Sequence, residues 1–197
     1  VTLLNQHGAK AVGLTGKDGN LISSKPFSAK AWSKGLSQEA MDSIADDEYG
    51  LVGDVDQINP DLIKKLQQDH FIPVIAPIGN SKKGKSYNIN ADLVAGSIAA
   101  ALKAEKLLVL TDVKGIRDAD GQFLSHLSRK DTERMVKKGT IGEGMLPKVR
   151  ACLRGVEGGV TKAHIIDGRV PHAILLEIFT DKGIGTEIVP NEVKQTK

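Results

Sequence analysis

The residues LLVLTDVKGIR, from Leu107 to Arg117, decide the fold class of this 197-residue chain. Leu107 to Leu110 form a continuously apolar run, which is typical of a strand in a parallel sheet covered on both faces. A hydroxyl, a carboxylate, two cations and a glycine follow directly, between Thr111 and Arg117. Open α/β sheets bind ligands where their strands end, so this segment predicts both an α/β fold and a candidate site.

The sequence on both sides alternates between helical and strand patterns, as an α/β fold requires. Later in the chain, helices are predicted at 91–104, 130–138, 145–157 and 172–179, and strands at 163–166 and 186–189. Earlier in the chain, the patterns predict a helix end at 2–8, a helix at 60–69, and strands at 11–14, 51–55 and 72–76. They also predict a hairpin turn at 17–20, after which the chain returns through 21–23, and a second hairpin at 78–87. The strand at 72–76 is predicted to be buried. The small residues of helix 91–104 are predicted to permit close packing on a sheet. Residues 28–48 are predicted to form a polar excursion, and the tail after residue 190 is predicted to be frayed.

Composition excludes several classes of protein. Apolar residues make up 40% of the chain and charged residues 26%, which excludes global disorder. Aromatic residues make up 4% and the net charge is only +3, which argues against a nucleic-acid partner. Cys152 is the single cysteine, which excludes an intramolecular disulfide and a cysteine-rich zinc site. The histidines show no HxxxH spacing, so no metal site is predicted.

The sequence also bears on location and completeness. It contains no apolar stretch of the roughly 18 residues that a membrane span needs, so no membrane association is predicted. It shows no signal peptide, and we expect a cytoplasmic protein. The chain begins at Val1 in a segment that resembles the end of a helix, and we expect it to be a fragment of a longer protein.

The first candidate site lies at the start of helix 91–104. Asn88, Asn90 and Asp92 fall just before the helix or in its first turn. Asn90 can cap the helix, and a carboxylate in the first turn favours the helix dipole, which would explain these residues without any ligand. The alternative is that two amides and a carboxylate bind a small anionic substrate. The residues alone do not separate the two interpretations.

Two further candidates are loops that could hold phosphate. The first comprises the residues after the apolar strand: Thr111, Asp112, Val113, Lys114, Gly115, Ile116 and Arg117. The second is the Gly-rich loop with Thr140, Ile141 and Gly142, followed by Pro147 and Lys148 at a helix start. Backbone N–H groups at such turns can cradle phosphate, and a lysine at the positive end of a helix dipole favours a nearby anion. Plain turns and a solvated lysine are the alternative interpretations.

Taken together, these residues resemble the N-acetylglutamate kinase branch of the amino acid kinase family. The resemblance rests on motifs that cover almost the whole chain in order: AVGLTGKDG (11–19), GLVGDV (50–55), FIPVIAPIG (71–79), YNINAD (87–92), LLVLTDVKGI (107–116), GEGMLPKV (142–149), AHIIDGRVPHAILLEIFT (163–180) and GIGT (183–186). It implies a three-layer α/β sandwich with a mainly parallel open sheet and a missing N-terminal part. Residues 1–90 would be the remainder of a substrate lobe, 91–190 a nucleotide-binding lobe and 191–197 a tail.

The resemblance also implies a reaction and roles for the candidate residues. ATP would phosphorylate the side-chain carboxylate of N-acetyl-L-glutamate, a step of arginine biosynthesis, with Mg²⁺ held mainly by phosphates. Asn88, with Asn90, would contact the substrate, and Asp92 would organise two catalytic lysines. Lys148 would stabilise the transferring phosphoryl group. The segments Asp112–Arg117 and Thr140–Gly142, with Thr111, would hold ATP.

Some family features are missing from the sequence. The family's KxGG turn with the other catalytic lysine, its GGGP loop and its substrate-clamping arginine do not occur here. We therefore expect this chain alone to be inactive. Two alternatives stay open: another carboxylate kinase of the family, acting on glutamate, aspartate or carrier-linked aminoadipate, and a nucleotide-binding or regulatory fragment without catalysis.

Finally, the resemblance suggests regulation and assembly. In relatives that arginine inhibits, a histidine, a glutamate and a glycine line the effector site, and His164, Glu177 and Gly183 match them. A strand histidine with a local hydrogen bond is the alternative for His164. The intact enzyme is expected to be a homo-oligomer, at least a dimer.

Overall fold

The computed structural model describes residues 1–28, 51–180 and 183–191. These residues form two compact units, with the boundary between Val94 and Ala95. The predicted division after residue 90 into a substrate lobe and a nucleotide lobe stays a prediction. The predicted excursion, from residue 29 onward, and the predicted tail, from residue 192 onward, lie outside the described residues. No helix in the described ranges is long and apolar enough to cross a membrane.

The first unit is built around a small barrel and a separate pair of strands. Its elements are α1 (Thr2–Gln6), β1 (Ala11–Thr15), β2 (Ile22–Pro26), β3 (Val52–Ile58), α2 (Asp61–Gln68), β4 (Ile72–Ala76), β5 (Ile78–Asn80) and β6 (Ser86–Ile89). Strands β1 and β4 pair in parallel, and β2, β3, β6 and β5 close into a barrel. The predicted hairpin at 78–87 is confirmed, because β5 and β6 pair antiparallel.

The hairpin predicted around residues 17–20 is wrong. The chain does turn there, but β1 pairs with β4, whereas β2 pairs with β3 and β5. The Asp18 carboxylate accepts hydrogen bonds from the Thr15 backbone N–H at 2.7 Å and the Thr15 hydroxyl at 3.0 Å. Leu21 and Ile22 then enter the core with no exposed surface. Burial of these two side chains favours the pairing of β2 within the barrel, although the turn residues themselves favour a hairpin with β1.

Strand β4 was predicted to be buried, and this too is wrong. Ile72 is 46% exposed and Val74 is 38% exposed. Within the described residues, β4 pairs only with β1, so its sheet has two strands. Helix α2 contacts β4, but among the described residues it does not bury the side chains of Ile72 and Val74. The sequence therefore predicted the position of the apolar strand correctly, but it predicted more burial than the strand has in the structure.

The second unit contains a four-stranded sheet. After the end of α3 (Ala91–Leu102) come β7 (Lys106–Thr111), β8 (His126–Ser128), α4 (Arg129–Lys137), α5 (Leu146–Glu157), β9 (Lys162–Asp167), α6 (Ala173–Phe179) and β10 (Thr186–Val189). The strand order is β7-β9-β10-β8. The β7–β9 and β10–β8 pairs are parallel, and the β9–β10 pair is antiparallel. The mainly parallel sheet confirms the predicted fold class, but the short β8 was not predicted because its residues show no apolar run.

Strand β7 is covered on one face along its whole length, and not on both faces as predicted. Leu107 and Val109 are buried in the core with Ile165 of β9. Leu110 lies on the opposite face and is 45% exposed. Side chains alternate between the two faces of a strand, so the open face meets solvent just before the candidate site begins.

Small residues bring α3 and α5 close together within the second unit. A Cβ atom at Gly96 would overlap the backbone carbonyl of Ala151, and one at Gly158 would overlap the Cβ of Ala100. Ala99 instead joins the hydrophobic core. The small residues of α3 therefore make a close helix contact at Gly96 and Ala100, and at Ala99 they join a core that includes residues of the sheet, as the sequence predicted.

Candidate functional site

The substrate-binding candidates lie in the first unit, around the start of α3. On β6, Tyr87 and Ile89 are buried and Asn88 between them is exposed. The Asn90 side-chain oxygen accepts a hydrogen bond from the Leu93 backbone N–H at 3.2 Å. Asp92 stands in the first turn and is half-buried. Asn90 therefore caps the helix, and the exposed Asn88 amide is the group best placed to meet a ligand.

The ends of β7 and β9 lie side by side in the second unit. Thr111 is in register with Asp167, and the Thr111 carbonyl accepts a hydrogen bond from the Gly168 backbone N–H at 2.8 Å. The Thr111 hydroxyl lies 3.3 Å from the carboxylate of Asp112. Polar groups therefore converge at the carboxyl ends of two parallel strands, the position where α/β sheets bind ligands.

Asp167 and Arg169 were not predicted as site residues. Arg169 donates from Nε and Nη2 to the two carboxylate oxygens of Asp167, at 2.9 and 2.8 Å. The side-chain and backbone hydrogen bonds of Arg169 lower the pKa of Asp167 to about 2. The signal was present in the sequence, because polar residues follow the apolar strand β9 just as they follow β7.

The loop after Asp112 is fastened to strand β10. The Thr186 hydroxyl accepts from the Ile116 backbone N–H at 2.8 Å and donates to the Leu124 carbonyl at 2.6 Å. Gly115 has a φ of +150°, and a Cβ there would collide with the Thr186 hydroxyl. The Lys114 ammonium lies 4.6 Å from the centre of the Phe123 ring. Side-chain anchors and a glycine conformation therefore fix the backbone of this loop.

The second predicted phosphate loop is anchored in the same core as the first. Ile141 is buried in the hydrophobic cluster that contains Ile116. Gly142 and Gly144 have no atoms within 4 Å of an added Cβ, so their backbone is open to a ligand. Lys148 lies in the first turn of α5 and is half-buried. The second unit thus holds both loops and one lysine that could meet phosphate oxygens.

The three residues matched to an effector site line one cavity of about 300 Å³. The Nδ1 atom of His164 lies 2.6 Å from a Glu177 carboxylate oxygen, and both side chains are buried. The other oxygen of Glu177 accepts from the backbone N–H of Ile184 at 2.6 Å. Gly183 is close enough to Glu177 that a Cβ there would lie 2.7 Å from the carboxylate.

The same cavity contains charged residues that the sequence analysis missed. Glu187 accepts from the Lys162 ammonium at 2.8 Å and lies 3.1 Å from His126 Nδ1. Lys106 also lines the cavity. Strand alternation could have found Glu187, because it lies directly opposite His164 in the β9–β10 register. His164 makes the hydrogen bond that the alternative interpretation expected, with Glu177 on helix α6.

Comparison with known proteins identifies relatives. Residues 1–167 match the model of the amino acid kinase family. The chain is 53% identical to an acetylglutamate kinase of Pelobacter propionicus over 188 residues, which cover 95% of this chain and 62% of the relative. It is 50% identical to an acetylglutamate kinase of Stutzerimonas stutzeri, covering 98% of this chain and 62% of that relative. The chain therefore spans less than two thirds of the length of these curated relatives.

Solved structures give the same family of folds. An N-acetylglutamate synthase from Neisseria gonorrhoeae, in complex with coenzyme A and L-arginine, superposes with a TM-score of 0.69 at 26% identity, covering 92% of this chain and 38% of that one. A carbamate kinase from Giardia lamblia bound to AMP-PNP superposes with a TM-score of 0.61 at 18% identity, covering 96% of this chain and 69% of that one. With the family match over residues 1–167 and a mainly parallel sheet that agrees with it, the chain belongs to the amino acid kinase family.

Proposed function

We propose that this protein is an acetylglutamate kinase, which transfers the γ-phosphoryl group of ATP to the side-chain carboxylate of N-acetyl-L-glutamate. The observation that carries the proposal is the identity of about half the residues, over 95% of the chain, with acetylglutamate kinases of several bacteria. The product would be an acyl phosphate, and the step would belong to arginine biosynthesis.

The chemistry matches the residue types at the candidate site. A carboxylate oxygen attacks the γ-phosphorus, and the bond from that phosphorus to the bridging oxygen of ADP breaks. The attacking carboxylate is already ionised near pH 7, since the ordinary pKa of a glutamate is about 4.3, so no proton has to be removed. The protein must instead bring two anions into line and neutralise the developing charge.

We assign nucleotide binding to the second unit. The segment Thr111–Arg117 and the loop Thr140–Gly142 would hold ATP, the latter through backbone that is open at Gly142. Lys148, near the positive end of α5, would stabilise the transferring phosphoryl group. Mg²⁺ supplies further charge neutralisation when it is bound with ATP, and it would be held mainly by phosphates and water.

We assign substrate binding to the first unit. The exposed Asn88 amide would contact N-acetyl-L-glutamate, and Asn90, occupied in capping α3, would contribute by fixing the start of the helix. Asp92 would organise catalytic lysines from the first turn of α3. The resemblance also supports a homodimer, which sedimentation equilibrium would test.

The test is acyl-phosphate formation, trapped with hydroxylamine as the hydroxamate. The natural full-length protein should convert N-acetyl-L-glutamate much faster than glutamate, aspartate or aminoadipate. Lys148→Ala should lower kcat by about 10²–10³-fold, as is typical when one preorganised charge donor is removed. Lys138→Ala, at the end of α4, is the matched control and should leave kcat unchanged.

Two outcomes would favour the alternatives. Preference for another carboxylate substrate would make the protein a different carboxylate kinase of the family. Binding of Mg-ATP without any hydroxamate in the full-length protein would favour a regulatory nucleotide-binding protein. The 197-residue chain tested alone should bind nucleotide but form no hydroxamate, because it carries only one of the two proposed phosphate-facing lysines.

We further infer that the cavity around His164 binds arginine as an inhibitor. Glu177 and Glu187 could attract its guanidinium, and Lys106 could attract its carboxylate. The solved relative that binds L-arginine supports this choice of ligand. Arginine should lower the rate of the full-length protein, and Lys106→Ala should weaken that inhibition without changing kcat in its absence. A rate that arginine leaves unchanged would remove the effector role.

A further inference from the structure

Asp167 holds the guanidinium of Arg169 in a fixed orientation at the end of β9. The Nε and Nη2 atoms of Arg169 donate to the two carboxylate oxygens at 2.9 and 2.8 Å. The backbone N–H of Arg169 also donates to Asp167, at 3.0 Å. Three hydrogen bonds within a three-residue turn leave the guanidinium little rotational freedom. Such bidentate pairs fix direction more firmly than a single contact does.

This turn is attached to the proposed nucleotide loop. Asp167 is in register with Thr111, and the Gly168 N–H donates to the Thr111 carbonyl at 2.8 Å. A Cβ at Gly168 would lie 3.2 Å from the Leu110 side chain, so the turn packs tightly on the end of β7. Arg169 therefore lies close to the segment that begins at Thr111, because the turn that contains it is hydrogen-bonded to the end of β7 and packs on it.

The arrangement leaves part of the guanidinium available. A guanidinium presents five N–H donors, arranged so that the Nε–Nη2 side and the Nη1–Nη2 side can each meet two oxygens. Asp167 occupies the first side. Among the residues that the structure describes, no hydrogen-bond acceptor is recorded for Nη1 of Arg169, and the side chain is 68% exposed.

The pair stays ionised over the whole physiological range. The hydrogen bonds from Arg169 lower the pKa of Asp167 to about 2. The hydrogen bond and charge of Asp167 raise the pKa of Arg169, and the nearby charge of Asp112 raises it further. An ion pair whose guanidinium is as exposed as that of Arg169 contributes little to stability. Its place at the carboxyl end of two parallel strands indicates binding instead.

We propose that Arg169 binds a phosphate group of the nucleotide through its Nη1–Nη2 side, and that Asp167 is the positioning residue that aims it. The proposal rests on the proposed function, because the adjoining nucleotide site is itself proposed. Phosphate is the chemical match for the open side, since its oxygens accept two parallel N–H bonds from a planar guanidinium. Asp112 adds a second carboxylate nearby, so Mg-ATP is a better probe than a bare anion.

The experiment measures dissociation constants by calorimetry for Mg-ATP, Mg-ADP, AMP and adenosine, using the natural full-length protein. Arg169→Gln should weaken the binding of Mg-ATP by about 10- to 100-fold, the range for a charged hydrogen-bonded contact. The affinity for adenosine should be unchanged. Arg169→Lys keeps the charge but not the planar pair of donors, so it should recover only part of the affinity. The nucleotide at which the loss first appears along the series identifies the phosphate that Arg169 binds.

Asp167→Asn tests the positioning role. This variant should weaken the binding of Mg-ATP less than Arg169→Gln does, because the guanidinium remains but is no longer held in one orientation. The affinity for adenosine should be unchanged, as in Arg169→Gln. The control is Arg134→Gln, which breaks a second arginine–aspartate pair whose arginine is similarly exposed, with side chains 66% and 43% exposed. That control should bind all four probes as the wild type does.

The outcomes separate this proposal from the proposed function. If the wild type binds Mg-ATP and Arg169→Gln binds it equally well, the phosphate contact is wrong and the kinase assignment is untouched. An equal loss for adenosine and Mg-ATP would also overturn it, since Arg169 would then act on the nucleoside or on folding. A folded wild type that binds no Mg-ATP would overturn both proposals.

Discussion

The Nδ1 atom of His164 lies 2.6 Å from a carboxylate oxygen of Glu177, with side chains that are 4% and 5% exposed. An ionised carboxylate can only accept, so Nδ1 donates, and Nε2 is left buried without a hydrogen-bond partner in the described structure. A buried polar atom of this kind is costly unless a ligand or water meets it. The His164–Glu177 pair therefore contributes to the stability of the second unit and also lines the proposed effector cavity.

Replacement of Glu177 by glutamine should destabilise the second unit. One carboxylate oxygen faces His164 and the other accepts from the Ile184 N–H, so an amide must leave one donor unpaired. We expect the free energy of unfolding to fall by about 1.5–3 kcal/mol, measured by urea unfolding. Glu157→Gln, at a glutamate that is 50% exposed, is the control and should cost less than about 0.5 kcal/mol. Equal effects in the two variants would contradict the role of burial.

Glu187 should contribute stability only above acidic pH. Burial raises the pKa of Glu187, but the hydrogen bonds from Lys162 and His126, with the charges of Lys162 and His164, outweigh burial, and the net pKa is lowered from 4.5. A carboxylate with a lowered pKa in the folded state stabilises the protein above its unfolded pKa, and this contribution is lost as the pH falls through the folded pKa. Glu187→Gln should therefore cost up to about 1 kcal/mol at pH 7 and almost nothing near pH 3.

Urea unfolding of wild type and Glu187→Gln at several pH values checks this prediction. Glu133→Gln, which removes a half-buried i,i+4 ion pair with Arg129, serves as the control and should differ little from wild type throughout. A cost of Glu187→Gln that stays constant between pH 3 and pH 7 would show that the carboxylate acts through packing and not through its charge.

Thr186→Val should loosen the proposed nucleotide loop. The valine keeps the shape of the threonine but removes the hydroxyl that links the Ile116 N–H to the Leu124 carbonyl. Because these buried groups lose their partner, unfolding should be easier by about 1–3 kcal/mol, and Mg-ATP should bind more weakly. Thr180→Val, at an exposed threonine, should change neither quantity. Unchanged hydrogen exchange at the Ile116 amide in Thr186→Val would refute the anchoring role.

Asp92→Asn should lower kcat of the full-length protein by about 10²-fold or more while leaving KM nearly unchanged. The reason is that an organising carboxylate acts on the charges around the transferring phosphoryl group and not on substrate affinity. Steady-state kinetics with the hydroxamate assay measures both constants. Asp61→Asn changes the first-turn acid of α2 in the same way and should leave kcat intact. A wild-type kcat in Asp92→Asn would remove this residue from the mechanism.

Much of the architecture could be read from local patterns. The apolar run at Leu107–Leu110 and the small-residue helix that follows Asn90 indicated strand and helix correctly, because both signals act within a few residues. His164, Glu177 and Gly183 line one cavity, but the effector role that the resemblance implied for them stays a prediction.

Other features depend on contacts between distant residues. The Asp18–Gly19 turn favoured a hairpin, yet burial of Ile22 sends β2 to a different sheet. The strand at Ile72–Ala76 is apolar in sequence, but its exposure depends on which elements cover it. Local propensity cannot encode such pairings, because the free energy of burial is decided only when the whole unit is assembled.

The sequence by itself determined that this is an α/β chain of the amino acid kinase family, with polar segments at strand ends and helix starts, because these signals are local in the chain. Only the tertiary structure decided that Arg169 is held by Asp167 beside Thr111, and that Glu187 faces the cavity of His164. The physical reason is that strand register sets which side chains become neighbours, and register follows from burial of the core across the sheet.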